Sequence, residues 1–486
     1  MSLTSALNSV QNIFNNTGQQ SSVVSTNIAN VGNSNYVRRE ASITTSLSGA
    51  QVVSISRAQE TALLAQYLQS NAKDSAQQTL VTGLESLQSL MGGNDYETSP
   101  STYLAAFQEA LQTYATSPSN TTAAQSAVTA AQDLANSLNT ASDGVQSMRA
   151  EADAEIATQI SSLNTLLSQF EAANNAVRLA TSTGDDTSSA LDEWEKLLKQ
   201  ISSIVGVTSV VRDNNDMALY TPDGTVLFET IPRTVTFAST ATYVAGTEGN
   251  AIYIDGVALD AGEGSTTSAS GSLQALLQLR DEIAPTFQDQ LDQIGKALVQ
   301  VFSETDGSTS APGLFTWTTA SETTGETPSD TDDITGIAST ISVNPAVVTS
   351  EGGDATKLRD GTISGITNLN TSGDNGFSDN LDALYQALTE QRSFSADAGL
   401  ATTQSLTDYA SASIGWLEQY RSDATSASET TAAALSRSDE DFSNETGVNL
   451  DEELTLLLDI EQSYKAATKI LNVIDEMFQS LLDIAS

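Results

Sequence analysis

Both ends of the chain carry apolar residues at the spacing of a narrow helical stripe. Near the N-terminus, steps of three and four residues link Leu3, Leu7, Val10, Phe14, Thr17, Ser21, Val24 and Ile28. Near the C-terminus, the same alternation links Ile460, Tyr464, Ala467, Leu471, Ile474, Phe478 and Leu481. A repeat of about 3.5 residues makes a seam that suits one partner helix. These stripes, here called the N-terminal seam and the C-terminal seam, are predicted to pair with each other as a coiled-coil stalk.

Such a stalk would leave its outer faces free to pack against neighbouring subunits, so both seams are interpreted as assembly surfaces. The same stripes could also pack inside an ordinary helix bundle. The presence of a seam at both ends, rather than at one, favours the stalk.

The charge balance and the missing residue types exclude several functions. The 486 residues include 61 acidic and 19 basic ones, for a net charge of -42, which argues against nucleic acid and anionic membrane surfaces as partners. There is no cysteine and no histidine, which rules out thiolate nucleophiles, imidazole or thiolate zinc ligands and a Ser-His-Asp relay. We therefore predict a protein that is not an enzyme and has no catalytic residues, no cofactor and no metal site.

Periodicity along the chain predicts a mainly α protein with a β-rich insertion. The elements are a terminal-helix coiled-coil stalk, a long-helix bundle domain and a small β-rich outer domain. The predicted segments are a stalk helix and motif loop (1–58), a helical bundle (59–205), the first β-rich part (206–270), a helix returning to the bundle (271–305), the second β-rich part (306–377), the last bundle part (378–442) and the C-terminal stalk helix (443–486).

Two local signals support the middle of this layout. Asp-Gly pairs at 223–224 and 255–256 lie between short apolar runs, the strongest short-range signal for a β-hairpin. The helix predicted over about 272–302 contains Pro285, which is expected to kink or divide it. A further helix is predicted from about 381 to 437.

A local motif follows the first helix over residues 27–38, which read Asn-Ile-Ala-Asn-Val-Gly-Asn-Ser-Asn-Tyr-Val-Arg. It resembles the N-terminal signature of flagellar rod, hook and hook-associated proteins, in which Asn-Ile-Ala-Asn precedes a short turn, a Gly-Tyr pair and an Arg. The residues that match are Asn27, Ile28, Ala29, Asn30, Tyr36 and Arg38. The turn departs from the family, with residues 33–35 where Thr-Pro-Gly is usual. Asn enters the left-handed region readily, so Asn35 is expected to replace the Gly. Taken alone, the segment could be a capped helix end followed by a loop.

The other end of the chain narrows the resemblance. Residues 447–454, 461–467 and 475–482 resemble the C-terminus of the hook-associated protein 1 family, which joins hook to filament. The resemblance implies self-assembly, contacts with the hook protein and with a second hook-filament junction protein, and a cytosolic export chaperone that holds the C-terminal seam. It also implies an extracellular place in the bacterial flagellum, reached through the flagellar type III channel. Export without a cleaved signal peptide is expected, because the first residues lack the basic start and apolar core of one.

Three functions from different classes follow from these observations. The first is a structural junction protein of the flagellum. The second is another exported acidic axial, filament or adhesin subunit without enzymatic activity. The third is an enzyme in the β-rich part, which the missing histidine makes the weakest.

Overall fold

The computed structural model describes residues 3–45, 51–319, 323–332 and 334–485, so the extreme ends of the two predicted stalk helices, 1–2 and 486, lie outside the described residues. The helices are α1 (Leu3–Ala29), α2 (Thr61–Leu90), α3 (Pro100–Thr116), α4 (Thr121–Thr183), α5 (Ser188–Ile204), α6 (Ser272–Gln278), α7 (Ala284–Val301), α8 (Ile337–Thr340), α9 (Lys357–Asp360), α10 (Asp379–Ala387), α11 (Leu406–Thr446) and α12 (Leu450–Ala485).

The strands are short and pair in small antiparallel sheets. They are β1 (Arg39–Thr45), β2 (Gln51–Arg57), β3 (Thr208–Val211), β4 (Met217–Tyr220), β5 (Val226–Phe228), β6 (Val235–Thr236), β7 (Tyr253–Ile254), β8 (Val257–Ala258), β9 (Glu304–Asp306), β10 (Thr309–Ala311), β11 (Phe315–Thr316), β12 (Ser342–Val343), β13 (Arg392–Ser393) and β14 (Thr403–Gln404). The sheets are β1-β2, β3-β4-β5, β6-β7-β8, β10-β9, β11-β12 and β13-β14. The predicted class, mainly α with β-rich parts, is confirmed.

The chain forms two compact units. Unit 1 contains Met1–Asp74, Ser162–Val235 and Thr431–Ser486, and unit 2 contains Ser75–Ser161 and Thr236–Thr430. Helices α2, α4 and α11 contribute residues to both units. The seven predicted segments divide the chain differently, since 59–205, 206–270 and 378–442 each contain residues of both units, and their boundaries stay a prediction.

Local sequence explains where the bundle helices begin and end. Ser99 caps α3 by accepting a hydrogen bond from the Thr102 amide at 3.3 Å, and Pro100 occupies the first helical turn. Asn120 caps α4 in the same way, through the amide of Thr122 at 3.0 Å. Gly92 follows α2 with φ 98°, and a Cβ there would lie 2.6 Å from the Thr98 amide nitrogen. Only glycine fits this turn.

The hairpins form where the Asp-Gly pairs predict them. Asp255 and Gly256 have φ values of 51° and 83° and join β7 to β8, as a type I′ turn requires. The pair at 223–224 lies between β4 and β5. A further hairpin, β3 to β4, turns through Asn214 and Asn215, with φ values of 59° and 55°. Asn tolerates this left-handed conformation better than most residues do.

The helix predicted over about 272–302 is divided, as expected. A π-helical turn (Leu279–Ile283) separates α6 from α7, and Pro285 lies in the first turn of α7. Proline lacks the amide hydrogen of a regular helix and crowds the preceding turn. The π-turn places Arg280 in the core of unit 2, where it binds Asp153 at 2.8 Å and Asp281 at 2.7 Å.

Two helical or loop predictions were wrong. The helix expected from about 381 to 437 is two helices, α10 and α11, separated by the β13-β14 hairpin. Gly399 adopts φ 70° within this break, and Phe394 stacks on Tyr409 at 3.8 Å between ring centroids. The predicted motif loop, which ends at residue 58, contains the β1-β2 hairpin, because Ser and Thr residues alternate with Ile and Val in these strands.

A buried carboxylate in unit 2 holds the short helix α8. Asp292 of α7 accepts hydrogen bonds from the amides of Gly336 and Ala338, both at 2.8 Å, and from the Gln288 side chain at 3.2 Å. Burial raises the pKa of Asp292 to about 7, against the opposing effect of these donors, and Asp289 adds to the rise.

We predict that Asp292 makes stability depend on pH. Its native pKa lies above the unfolded value near 3.9, so the native state binds the proton more tightly. The stability of the wild type relative to Asp292→Asn is highest below about pH 4 and is lost as pH rises through 7, by roughly 2–4 kcal/mol. Urea unfolding of both proteins between pH 4 and 8 checks this. A difference that stays constant with pH would contradict it.

Candidate assembly site

The terminal helices α1 and α12 pack against each other in unit 1. Val10, Ala467 and Ile474 are buried between them. The Phe14 ring meets Tyr464 edge-on, with centroids 4.9 Å apart. Phe14 contacts Tyr464, whereas Val10, nearer the start of α1, packs with Ala467 and Ile474, nearer the end of α12. The two helices are therefore antiparallel.

Most of the remaining seam residues lie at the edges of this contact. Leu3 and Leu471 pack partly buried against it, Leu7 and Ile28 are half-buried, and Val24 and Ile460 are buried. The exposed members are Tyr464, Phe478 and Leu481, with 52%, 38% and 53% of their surface accessible. The seam is closed at Ala467 and Ile474 but exposed at Tyr464 and towards the end of α12.

A second apolar stripe on α12 runs beside the residues that pack on α1, because Ile470 and Met477 lie four and three residues from the buried Ile474. Steps of three and four residues link Ile470, Val473, Met477 and Leu481, and each of these side chains is exposed. We call these four residues the outer stripe, which shares Leu481 with the C-terminal seam. Leu454 and Leu458, nearer the start of α12, are exposed as well. The helix therefore carries more apolar surface than one partner helix covers.

Asn27 organises the turn that follows α1. Its side-chain amide donates to the Arg39 carbonyl at 2.8 Å, and its side-chain oxygen accepts from the Tyr36 hydroxyl at 2.7 Å and from the Arg39 amide at 3.1 Å. Asn27 is buried, so each bond is made away from water. One side chain thus fixes the direction of the chain as it enters β1.

The other motif residues complete this turn. Ala29 ends α1 and is exposed, and the half-buried Asn30 donates to the Thr26 carbonyl at 2.9 Å. Burial raises the pKa of Tyr36, and the Arg39 guanidinium lies 4.9 Å from the centre of its ring. The expectation for Asn35 was wrong, because it does not have a positive φ. Instead, the Asn33 side chain accepts a hydrogen bond from the Asn35 amide at 3.1 Å and stabilises the turn.

Arg38 connects the motif to the C-terminal helix. Its Nε donates to Glu453 at 2.8 Å, and the Glu453 side chain is fully buried. This hydrogen bond raises the pKa of Arg38 despite partial burial. The Arg38 amide also donates to the Thr446 carbonyl, at the end of α11, at 2.8 Å. The two ends of the chain are therefore joined by a charged pair as well as by the seams.

A second set of charges fixes the β1-β2 hairpin to α5. Arg39 and Arg57 oppose each other at the base of the hairpin, and Asp192 binds both, at 3.0 and 2.8 Å. Arg57 also makes two parallel hydrogen bonds to Glu195, at 2.7 and 2.6 Å. Burial opposes the charge on Arg57, but its hydrogen bonds to Glu195 and Asp192 outweigh this and raise its pKa. Asp192 and Glu195 lie three residues apart, on one face of α5.

Sequence reasoning missed this second set of residues. Arg57 and Glu195 are 138 positions apart, and nothing in their local sequence marks either of them. The one available signal was the scarcity of basic residues in an acidic chain, since Arg38, Arg39 and Arg57 lie close together in it.

The geometry of the paired helices and the motif turn supports packing and self-association. No group of three or more carboxylates arranged to hold a metal ion occurs within the part of the chain that the structure describes. Among the described helices, none is long and apolar enough to cross a bilayer.

Comparisons with known proteins agree with this site. A family model for the flagellar basal body rod FlgEFG protein C-terminal matches residues 440–484. A model for the flagellar hook-associated protein FlgK helical domain matches residues 84–308. Flagellar hook-associated protein 1 of Bacillus subtilis is 21% identical over 459 residues, which cover 90% of this chain and 86% of that protein.

A solved structure shares the fold. The flagellar hook junction protein FlgK from Burkholderia pseudomallei superposes with a TM-score of 0.52 at 14% identity, over 77% of this chain and 98% of that one. The paired terminal helices and the rod-type C-terminal segment define a flagellar axial protein. With the FlgK helical domain between them, the chain belongs to the FlgK family of flagellar hook-associated proteins.

We predict that Asn27→Ala destabilises unit 1 by about 2–4 kcal/mol, because it leaves the buried polar groups of Tyr36 and Arg39 without partners. Asn33→Ala is the matched control: its side chain is exposed, so the loss should stay below about 1 kcal/mol. Urea unfolding measures both. Equal losses would show that the buried amide has no special role.

Proposed function

We propose that this chain is a structural protein of the bacterial flagellum that self-assembles at the junction between hook and filament. The observation that carries the proposal is the outer stripe of α12, which stays exposed while Ala467 and Ile474 of the same helix pack on α1. A continuous exposed apolar surface on a folded chain marks an interaction site. The names of the FlgK structure and of the Bacillus relative, a hook junction protein and a hook-associated protein, support the place of assembly.

The proposed partners follow from the same surface. The first partner is another copy of this chain, which packs through the outer stripe and through the exposed seam residues Tyr464, Phe478 and Leu481. The hook protein on one side and a second junction protein on the other complete the contacts. Before assembly, a cytosolic chaperone covers the C-terminal seam, because a free apolar helix would associate prematurely.

Family membership places the chain in the flagellum. We propose that it reaches an extracellular position through the flagellar type III channel, without a cleaved signal peptide. We further propose that it has no enzymatic activity, since its family is a structural one. The polar residues of the site make hydrogen bonds and ion pairs with one another.

Neighbouring positions on α12 offer a sharp test, because Val473 is exposed and Ile474 is buried against α1. Val473→Asp should leave folding intact and abolish incorporation into flagella, since a carboxylate in an apolar interface costs several kcal/mol. Ile474→Asp and Leu471→Asp should also abolish incorporation, but by disrupting the α1–α12 pair. Motility and electron microscopy of cells lacking the native copy provide the assay, and circular dichroism reports folding.

The control for these variants is Glu476→Gln, at an exposed position on the same helix. Cells that carry this variant should swim normally. If Val473→Asp still builds motile flagella, the outer stripe is not an assembly surface.

We also predict that self-association requires salt. Each copy carries a net charge of -42, so neighbouring copies repel each other. The screening length falls from about 30 Å at 0.01 M to about 8 Å at 0.15 M ionic strength. Sedimentation of the purified chain should show a larger associated fraction at 0.15 M sodium chloride than at 0.01 M. Association that is equal or stronger at low salt would contradict this.

A further inference from the structure

A polar cavity of about 470 Å³ lies in unit 1 beside the Asn27 turn. The motif turn forms one wall, and the connection between α11 and α12 forms another. Lys199 of α5 and Asp439 of α11 also line it. The volume falls in the range of small-ligand sites, and none of the contacts described above fills the space.

Lys199 is the unusual group in this cavity. Its ammonium lies 4.7 Å from the centre of the Tyr67 ring and 4.9 Å from that of Phe442. It makes no salt bridge with any residue that the structure describes, although Glu195 and Asp439 are close enough to influence it. Burial is the largest effect and lowers the pKa of Lys199. Lys199 is half-buried. Aromatic rings offset part of the cost of desolvating its charge, but they do not satisfy the three N–H donors of an ammonium.

The rest of the lining suits an acidic group. It offers side-chain amides and hydroxyls, which come from Asn30, Asn33, Ser34, Ser443, Asn444 and Asn449. These neutral groups can donate to a carboxylate. Asp439 is the one carboxylate among the described lining residues. Its charge repels an incoming carboxylate, so the favourable position for that group is beside the Lys199 ammonium.

We propose that this cavity receives an Asp or Glu side chain from a second copy of the chain, with its carboxylate on the Lys199 ammonium. The inference rests on the self-assembly proposed above. Every copy offers many such groups, since acidic residues outnumber basic ones by 61 to 19. Within one chain, Glu195 makes its hydrogen bonds to Arg57 through both of its oxygens and no salt bridge to Lys199. The cavity thus gives the motif turn a role in contacts between subunits.

A peptide supplies the test on the intact, unassembled chain. The probe is Ser-Asp-Glu-Asp, the sequence of residues 438–441, and the control peptide is Ser-Asn-Gln-Asn. With ¹³C-labelled lysine, NMR follows the Lys199 Cε signal during titration with each peptide. The acidic peptide should shift this signal and raise the pKa of Lys199, and the amide peptide should do neither.

Variants separate charge from shape. Lys199→Arg should keep binding, and Lys199→Gln should weaken it at least tenfold. Lys196→Gln, one turn earlier on the same helix and outside the cavity lining, where Lys196 pairs with Glu193, should bind like the wild type. Equal binding of both peptides, or of the Lys199→Gln variant, would overturn the proposal, as would the absence of any shift at millimolar peptide.

An assembly assay distinguishes this inference from the proposed function. Lys199→Gln should fold normally but reduce incorporation into flagella, and Lys199→Arg should restore it. Normal incorporation of Lys199→Gln would overturn the carboxylate contact and leave the proposed junction role untouched. Failure of all variants and of the wild type to incorporate would instead overturn the junction role.

Discussion

The buried amide of Asn27 is the contact on which the geometry of the chain ends depends. It must donate to one backbone carbonyl and accept from a hydroxyl and a backbone amide at once. Among side chains of this size, only an amide offers both functions, since a carboxylate lacks the donor and an aliphatic chain lacks all of them. The Asn27 amide therefore sets the path from α1 into β1, and with it the position of Arg38 opposite α12.

Charged pairs reinforce this geometry where the chain can least spare basic residues. Arg38, Arg39 and Arg57 engage Glu453, Asp192 and Glu195 in largely buried pairs. Such pairs add little net stability, because desolvation offsets their attraction, but they penalise alternative arrangements strongly. In an acidic chain, many wrong pairings of carboxylates are available. Using arginines at the base of the terminal helices selects one arrangement among them.

The sequence predicted the parts of this fold that local patterns encode. The seam residues Val10, Ala467 and Ile474 do lie together, because a repeat of about 3.5 residues specifies a partner helix. The Asp255-Gly256 turn and the break near Pro285 follow from backbone preferences alone. The matched Asn27 and Arg38 were found through family resemblance, and their contacts came only from the structure.

What the sequence did not reveal depends on distant residues. Nothing near Arg57 indicates that Asp192 and Glu195 will surround it, since the pairing requires α5 to lie under the hairpin. The break between α10 and α11 was missed because the contact within it, the stacking of Phe394 on Tyr409, is a tertiary one that local sequence does not reveal. The turn at Asn35 was misjudged because Asn33 satisfies it through a side chain instead of a left-handed backbone.

The Arg38–Glu453 pair also affects the free energy of assembly. Ordering a helix during association costs conformational entropy, which reduces the affinity that its apolar surface provides. In this chain, Arg38, Glu453 and the buried seam residues already fix the start and one face of α12. The outer stripe is then presented by a helix whose direction is set before a neighbour arrives. Most of the conformational entropy of α12 is lost when the subunit folds. The modest apolar area of Ile470, Val473, Met477 and Leu481 can then contribute to the affinity between subunits with little further entropic cost.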